Sequence, residues 1–191
     1  TARANTKEEA EKMIEKVVEE IRKRLGDYIY GEGETSLEEV VVDLLSKKNL
    51  TISVAESCTG GLISARLVNV PGVSKFFKGS LVAYDNEVKI RELNVPREII
   101  EKYGAVSSQC AMKMAEGVAR KMGTDIGLSA TGIAGPEGGT PEKPVGLVYI
   151  GLYIRGELSY KELRLSGDRN RIRLYTTINA LDFLRRGLLK L

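Results

Sequence analysis

Histidine is absent from all 191 residues, and that absence removes Ser-His and Cys-His catalysis from anything the chain does with its own side chains. A general base would have to be lysine, tyrosine, aspartate or glutamate, and a metal site would have to be built on carboxylates. Only two cysteines occur, Cys58 and Cys110, far apart and outside any CxxC pattern, so no structural metal site is expected and the composition fits a reducing cytoplasm. No apolar run approaches the ~20 residues that a membrane helix requires, and no signal peptide is recognisable. Charge of one sign is scarce as well. Lys plus Arg number 29 against 26 for Asp plus Glu, and the signs are interspersed, which argues against a dedicated nucleic-acid surface. The single glutamine, Gln109, and a Lys/Glu-rich surface are features shared with thermophile proteins.

What is present is 42% hydrophobic residues, enough for one core domain and an appendage. The chain begins at Thr1 rather than methionine and reads as a piece of something longer. Thr6-Lys-Glu-Glu9 is a capping box that opens a helix whose stripe is Met13, Ile14, Val17, Val18, Ile21 and Leu25. Gly26 ends it, and residues 27–34 read as a linker. Residues 1–33 are therefore taken as an N-terminal helical appendage and 34–191 as the main domain. Ser36-Leu-Glu-Glu39 is a second capping box, with Val40, Val41, Leu44 and Leu45 inward.

The central stretch is residues 51–61, where the apolar run 52–55 stops in Glu56-Ser-Cys-Thr-Gly-Gly61 and helical spacing resumes at Leu62. This predicts a buried strand, a tight turn and a helix start at the sheet's carboxyl edge, where open α/β sheets bind ligands. The helix start offers N–H groups suited to a phosphate or an oxyanion, although serine, threonine and glycine there also fit plain capping and turning. A second strand is expected over 79–83, and Asp85 is a plausible N-cap for a short helix. Pro96 fits the first turn of another helix, and Ser107 caps a longer one with Ala111, Met114, Ala115, Val118 and Met122 on one face. A third strand over 125–130 runs into a second glycine loop, Thr131-Gly-Ile-Ala-Gly135. A hairpin over 145–165 turns at Arg155-Gly156, and Asp168 caps a last helix with Leu174, Ile178, Leu181, Leu184 and Leu188 inward. The sum is a three-layer α/β/α fold on a mixed, mostly parallel sheet of about five strands.

One geometric consequence concerns chemistry. With Asp85 as N-cap, Tyr84 and Lys89 hold the two positions whose side chains meet in a hydrophobic staple, so phenol and amine are expected to be neighbours. If the strands before Ser57 and Tyr84 are adjacent and parallel, ~4.8 Å apart, a Ser-Tyr-Lys site forms at one sheet edge. The plainer alternative is a surface lysine beside a half-buried tyrosine.

Ala55-Glu-Ser-Cys-Thr-Gly-Gly61, Gly79 with Tyr84-Asp-Asn-Glu-Val-Lys89, Tyr103-Gly-Ala-Val-Ser107, Thr131-Gly-Ile-Ala-Gly-Pro136 and Lys143-Pro-Val-Gly146 together resemble the C-terminal domain of the competence/damage-inducible CinA proteins, a family that includes nicotinamide-nucleotide amidases. The resemblance covers residues 36–191, and residues 1–33 look like the tail of the domain that precedes it in longer members. Those also carry a MoaB-like domain linked to ADP-ribose or dinucleotide pyrophosphatase activity. The resemblance implies hydrolysis of nicotinamide mononucleotide to nicotinate mononucleotide and ammonia without cofactor or metal. It makes Ser57 the nucleophile, Lys89 the base and Tyr84 the connecting hydroxyl. Thr131, Gly132 and Gly135 are expected around the nucleotide. Backbone N–H groups at Thr59, Gly60 and Gly61 or in the Thr131 loop are expected at the phosphate, with an arginine of the final helix start, chiefly Arg169. A homodimer is expected from the family and from the unburied first helix, with no nucleic-acid or membrane partner. The rival expectation is a nucleotide-binding regulatory module without chemistry, which ammonia release would separate from the amidase.

Overall fold

A computed structural model describes residues 1–191, which divide into two compact units, Thr1–Ser36 and Leu37–Leu191. In the first unit, α1 (Lys7–Leu25) starts where Thr6 accepts a hydrogen bond from the Glu9 N–H and stops at Gly26, whose φ of 49° suits glycine. None of its residues is buried, and Met13, Ile14, Val17, Ile21 and Leu25 are exposed.

The second unit runs α2 (Leu37–Lys48), β1 (Ile52–Glu56), α3 (Leu62–Val68), β2 (Phe77–Val82), α4 (Asn86–Leu93), α5 (Arg97–Tyr103), α6 (Ser108–Met122), β3 (Ile126–Gly132), β4 (Leu147–Ile154), β5 (Glu157–Arg164) and α7 (Arg169–Leu189). The five strands lie in the order β2-β1-β3-β4-β5. β1 is parallel to both neighbours, and β4 is antiparallel to β3 and β5, so four of five strands point one way. Every residue of β1 is buried. Ile52 and Val54 join the larger core under α2, α3 and α7, whereas Ala55 joins the smaller one under α4 and α6. This alternation produces the three layers that the run of apolar residues predicts.

On the second face, α6 lies unusually close to the sheet. A Cβ at Gly127 would collide with the Ala115 carbonyl, and one at Gly151 with the Ala111 carbonyl. Ser129 Oγ donates to Ala111 O over 2.6 Å. Main chain therefore packs on main chain, which fixes the start of α6 against the carboxyl end of β3.

Two sequence expectations need correction. β2 begins at Phe77 and ends at Val82, earlier than 79–83. In α7, Leu174 is 48% exposed, and the buried face is Ile172, Thr176, Thr177, Ala180, Leu181, Leu184, Arg185 and Leu188. The threonines occupy core positions because Thr176 and Thr177 donate their hydroxyls to the carbonyls of Ile172 and Arg173 one turn earlier, leaving the methyls to pack.

Candidate active site

The chain leaves β1 toward α3 on one face and leaves β2 toward α4 on the other. The sheet's carboxyl edge consequently opens between the two strands, as at the crevice of open α/β folds. A pocket of about 230 Å³ sits there. Ser57, Tyr84 and Lys89 line it together, with Asn86, Ala105, Val106, Thr131, Gly132 and Arg169.

Ser57 follows β1 directly, and its position is fixed by main-chain bonds: its N–H donates to Ala130 O (2.9 Å), while Ala83 N–H donates to Glu56 O (2.8 Å). The turn after it is held from two sides. The Glu56 carboxylate, fully buried, accepts from the N–H groups of Gly61 (2.8 Å), Ile63 (3.2 Å) and Ser64 (2.9 Å) and from the Ser64 hydroxyl. From the other side, Arg173 donates to the carbonyls of Cys58 (3.1 Å) and Thr59 (2.8 Å). Gly60 and Gly61, with φ of 60° and 99°, make the turn, and a side chain at Gly60 would press on the Arg173 guanidinium.

This arrangement overturns part of the phosphate expectation. The amides of Gly61, Ile63 and Ser64 already hold the Glu56 carboxylate, and Gly60 N–H donates to Ser57 O. Thr59, Gly60 and Gly61 lie outside the pocket lining. The protein's own anion takes the place at the helix start that a phosphate would need. The N–H groups of Cys58 and Thr59, the two that follow the serine, donate to no oxygen and face only the weakly accepting Cys58 sulfur.

Lys89, in α4, is 1% exposed. Its ammonium donates to Tyr84 O (2.8 Å) and reaches Asp85 O at 3.5 Å, so the staple brings the amine to the tyrosine's main chain rather than into a bond with its phenol. Burial pushes the Lys89 pKa below its ordinary value, with Cys110, Asp85 and Cys58 pulling weakly the other way. The Tyr84 phenol instead accepts from Arg169 Nη2 (3.0 Å), whose Nη1 donates to Gly135 O (2.8 Å). Arg169 thus ties the β2–α4 corner to the loop after β3. Gly135 takes part through its carbonyl and stands just outside the lining.

The Thr131 hydroxyl donates to Ala105 O (2.9 Å). Lys143 donates to Val106 O (2.8 Å) and to Tyr103 O. The segments Tyr103–Ser107 and Lys143–Gly146 recognised as separate motifs therefore meet, and their common effect is to pin the pocket wall formed by Ala105 and Val106. Sequence reasoning left Asn86, Ala105 and Val106 unassigned, although all three lie inside motifs it singled out. Cys58 also lines the pocket, but burial pushes its thiol up to about 12, so it stays protonated at neutral pH and is a poor nucleophile. Lys89 and Arg169 are the charged groups of the lining, and no carboxylate is among them. The site is suited to an anionic ligand and to attack by a hydroxyl beside a buried amine.

The profile described as the CinA C-terminal domain matches residues 34–188, and that of the damage-inducible protein CinA KH domain matches residues 1–31. A CinA-like protein of Dictyoglomus thermophilum is 96% identical over 191 residues, and a putative competence-damage inducible protein of Clostridium novyi is 56% identical over 190; each alignment covers the whole of this chain and 46% of the relative. The chain thus spans about half the length of these curated relatives. Among solved structures, the competence/damage inducible protein CihA of Agrobacterium tumefaciens is 38% identical with a TM-score of 0.77, over 80% of this chain and 93% of that one. The competence or damage-inducible protein of Enterobacter asburiae is 32% identical with a TM-score of 0.77, over 80% and 96%.

Proposed function

The chain belongs to the CinA family, and from that premise we propose that its pocket hydrolyses the carboxamide of nicotinamide mononucleotide to the carboxylate and ammonia. The observation that carries this proposal is a serine at a strand–helix turn sharing a small pocket with a buried, downward-tuned lysine, in a chain without histidine. Neutral Lys89 takes the Ser57 proton within the pocket the two side chains share, beside a Tyr84 phenol held by Arg169, and the alkoxide attacks the amide carbon. The oxyanion is received by the N–H groups of Cys58 and Thr59. The tetrahedral intermediate expels ammonia as the lysine returns the proton, leaving an acyl-serine that water cleaves by the same route. Glu56 and Arg173 take no chemical part and hold the serine turn in place. The pocket volume, just below the ~300–1,000 Å³ of typical ligand sites, suits one ring and its sugar better than a dinucleotide. Release of ammonia from the mononucleotide by the purified chain tests the proposal. Binding without release would leave the nucleotide-sensing module as the function.

The cationic lining makes the phosphate a recognition element through Arg169. Nicotinamide riboside, which lacks it, is expected to show at least ~10-fold lower kcat/KM than the mononucleotide, because a hydrogen bond to a charged group contributes ~1.5–3 kcal/mol. Equal values for the two would remove the phosphate from recognition. The pinned wall gives a second expectation. Lys143→Met should raise KM about 10-fold with kcat changed less than ~3-fold, and Lys143→Arg should recover part of the loss. A large fall in kcat at constant KM would show that the lysine acts on the chemistry instead.

A further inference from the structure

Asn86 is the first residue of α4, directly after the Asp85 cap, and its neighbours are fully engaged. Asp85 Oδ1 accepts from the Glu87 N–H, and the Glu87 carboxylate accepts two bonds from Arg97 at 2.8 and 2.7 Å. Between them, the Asn86 side chain lines the pocket and makes no hydrogen bond within the protein. The other polar side chains of the lining divide by type. Lys89 and Arg169 are donors only, Arg169 already holds Gly135 O and the Tyr84 phenol, and the Thr131 hydroxyl is directed at Ala105 O. Asn86 alone offers a carbonyl acceptor and an NH₂ donor on one rigid plane.

That plane is the complement of a primary amide. Paired head to head, Asn86 Nδ2 donates to the substrate carbonyl and Asn86 Oδ1 accepts from the substrate NH₂. Against the carboxylate product, the second bond becomes a contact between two acceptors. Repulsion between the two facing acceptor oxygens then disfavours the acid relative to the amide. We propose, resting on the amidase function above, that Asn86 is the specificity-determining residue that distinguishes the amide substrate from its acid product and so favours product departure.

The test compares binding of nicotinamide mononucleotide and nicotinate mononucleotide by calorimetry to the whole chain in a Ser57→Ala background, where no turnover disturbs the equilibrium. Asn86→Leu removes both polar atoms at similar size, and the amide-to-acid affinity ratio should fall more than ~2-fold, since one neutral hydrogen bond corresponds to roughly 2- to 12-fold in affinity. Asn86→Asp keeps the acceptor and adds a charge facing the product carboxylate, so the ratio should rise above that of the asparagine protein. The order Asp above Asn above Leu supports the proposal. A ratio unchanged within ~2-fold in both variants, with both ligands weakened in parallel, would place Asn86 at the sugar or phosphate and overturn it. Ammonia release by the chain with Ser57 intact is read separately. Release with an unchanged ratio sinks the Asn86 assignment alone, and a shifting ratio without release sinks the amidase alone. Failure of either nucleotide to bind removes both. Asn86 is exposed, so neither variant threatens the fold.

Discussion

Lys89→Arg is expected to lower kcat at least ~10³-fold while the protein stays folded. A serine hydroxyl is a weak nucleophile until its proton is taken, and a lysine with the ordinary pKa of about 10.4 is almost wholly protonated at neutral pH. Lys89 escapes that limit because it is 1% exposed, and desolvation lowers its pKa. A guanidinium keeps the charge and cannot shed the proton, so the base is lost. Because arginine is bulkier than the site, Lys89→Met serves as the companion of similar length and should be equally inactive. Ser57→Ala should match both, and the Ser57→Ala, Lys89→Arg double variant should be barely worse than either, as for groups that act as one unit. The same tuning fixes the sign of the pH response. The reactive form is the neutral amine, so kcat/KM should climb as pH rises through the lowered pKa of Lys89 and level off above it. A rate that falls over that interval would mean that the ammonium form is the active one. If Ser57→Ala kept most activity while Cys58→Ala abolished it, the thiol would replace the serine despite its raised pKa.

Glu56→Ala is the substitution expected to cost most stability. Its fully buried carboxylate accepts four hydrogen bonds from the turn, three of them from backbone N–H groups that no other acceptor reaches. A buried donor left unsatisfied costs ~1–3 kcal/mol, so the loss of unfolding free energy should be at least about 3 kcal/mol even without full additivity. Urea unfolding monitored by circular dichroism measures it directly. Glu56→Gln, which keeps one acceptor oxygen and turns an NH₂ toward the donors at Ser64 or Gly61, should fall between the two proteins. A loss under ~1 kcal/mol in the alanine variant would show that the turn is held by Arg173 and the glycines instead. Activity should fall with stability, because the same bonds orient the residue after which the chain turns.

Much of this architecture is legible in the residues themselves. Thr6, Asp85, Ser107 and Asp168 each accept from a backbone N–H where capping rules put them, and Arg155-Gly156 turns the hairpin. Ser57, Tyr84 and Lys89 do reach one pocket, because β1 and β2 are parallel neighbours with Glu56 opposite Val82. What was not legible are the partners of polar atoms. Nothing in the spacing of Glu56 says that its carboxylate folds back on the helix it precedes, filling the place a glycine-rich turn offers to phosphate. Nor does it say that Arg169 takes the Tyr84 phenol while Lys89 takes the Tyr84 carbonyl. Apolar type is a poor guide to the buried face of α7, because threonines that satisfy their own hydroxyls occupy core positions there. Lys143 reaches carbonyls 37 and 40 residues away, a distance at which local pattern carries no information.

The contact of α6 with Gly127 and Gly151 has a bearing on how such a pocket ages under mutation. Where a helix rests on a sheet through interlocking side chains, each change of volume alters the spacing, and the loops at the helix end move with it. Here the spacing is a ruler made of carbonyl oxygens and α-carbons, identical whatever the neighbouring leucines and methionines become. Met114, Val118 and their neighbours can drift among apolar residues of similar size while Ala105 and Val106 keep their distance from Ser57. The spacing of helix and sheet behind the pocket is in this sense inherited from the main chain, and mutation reaches it through the two glycines that allow the contact.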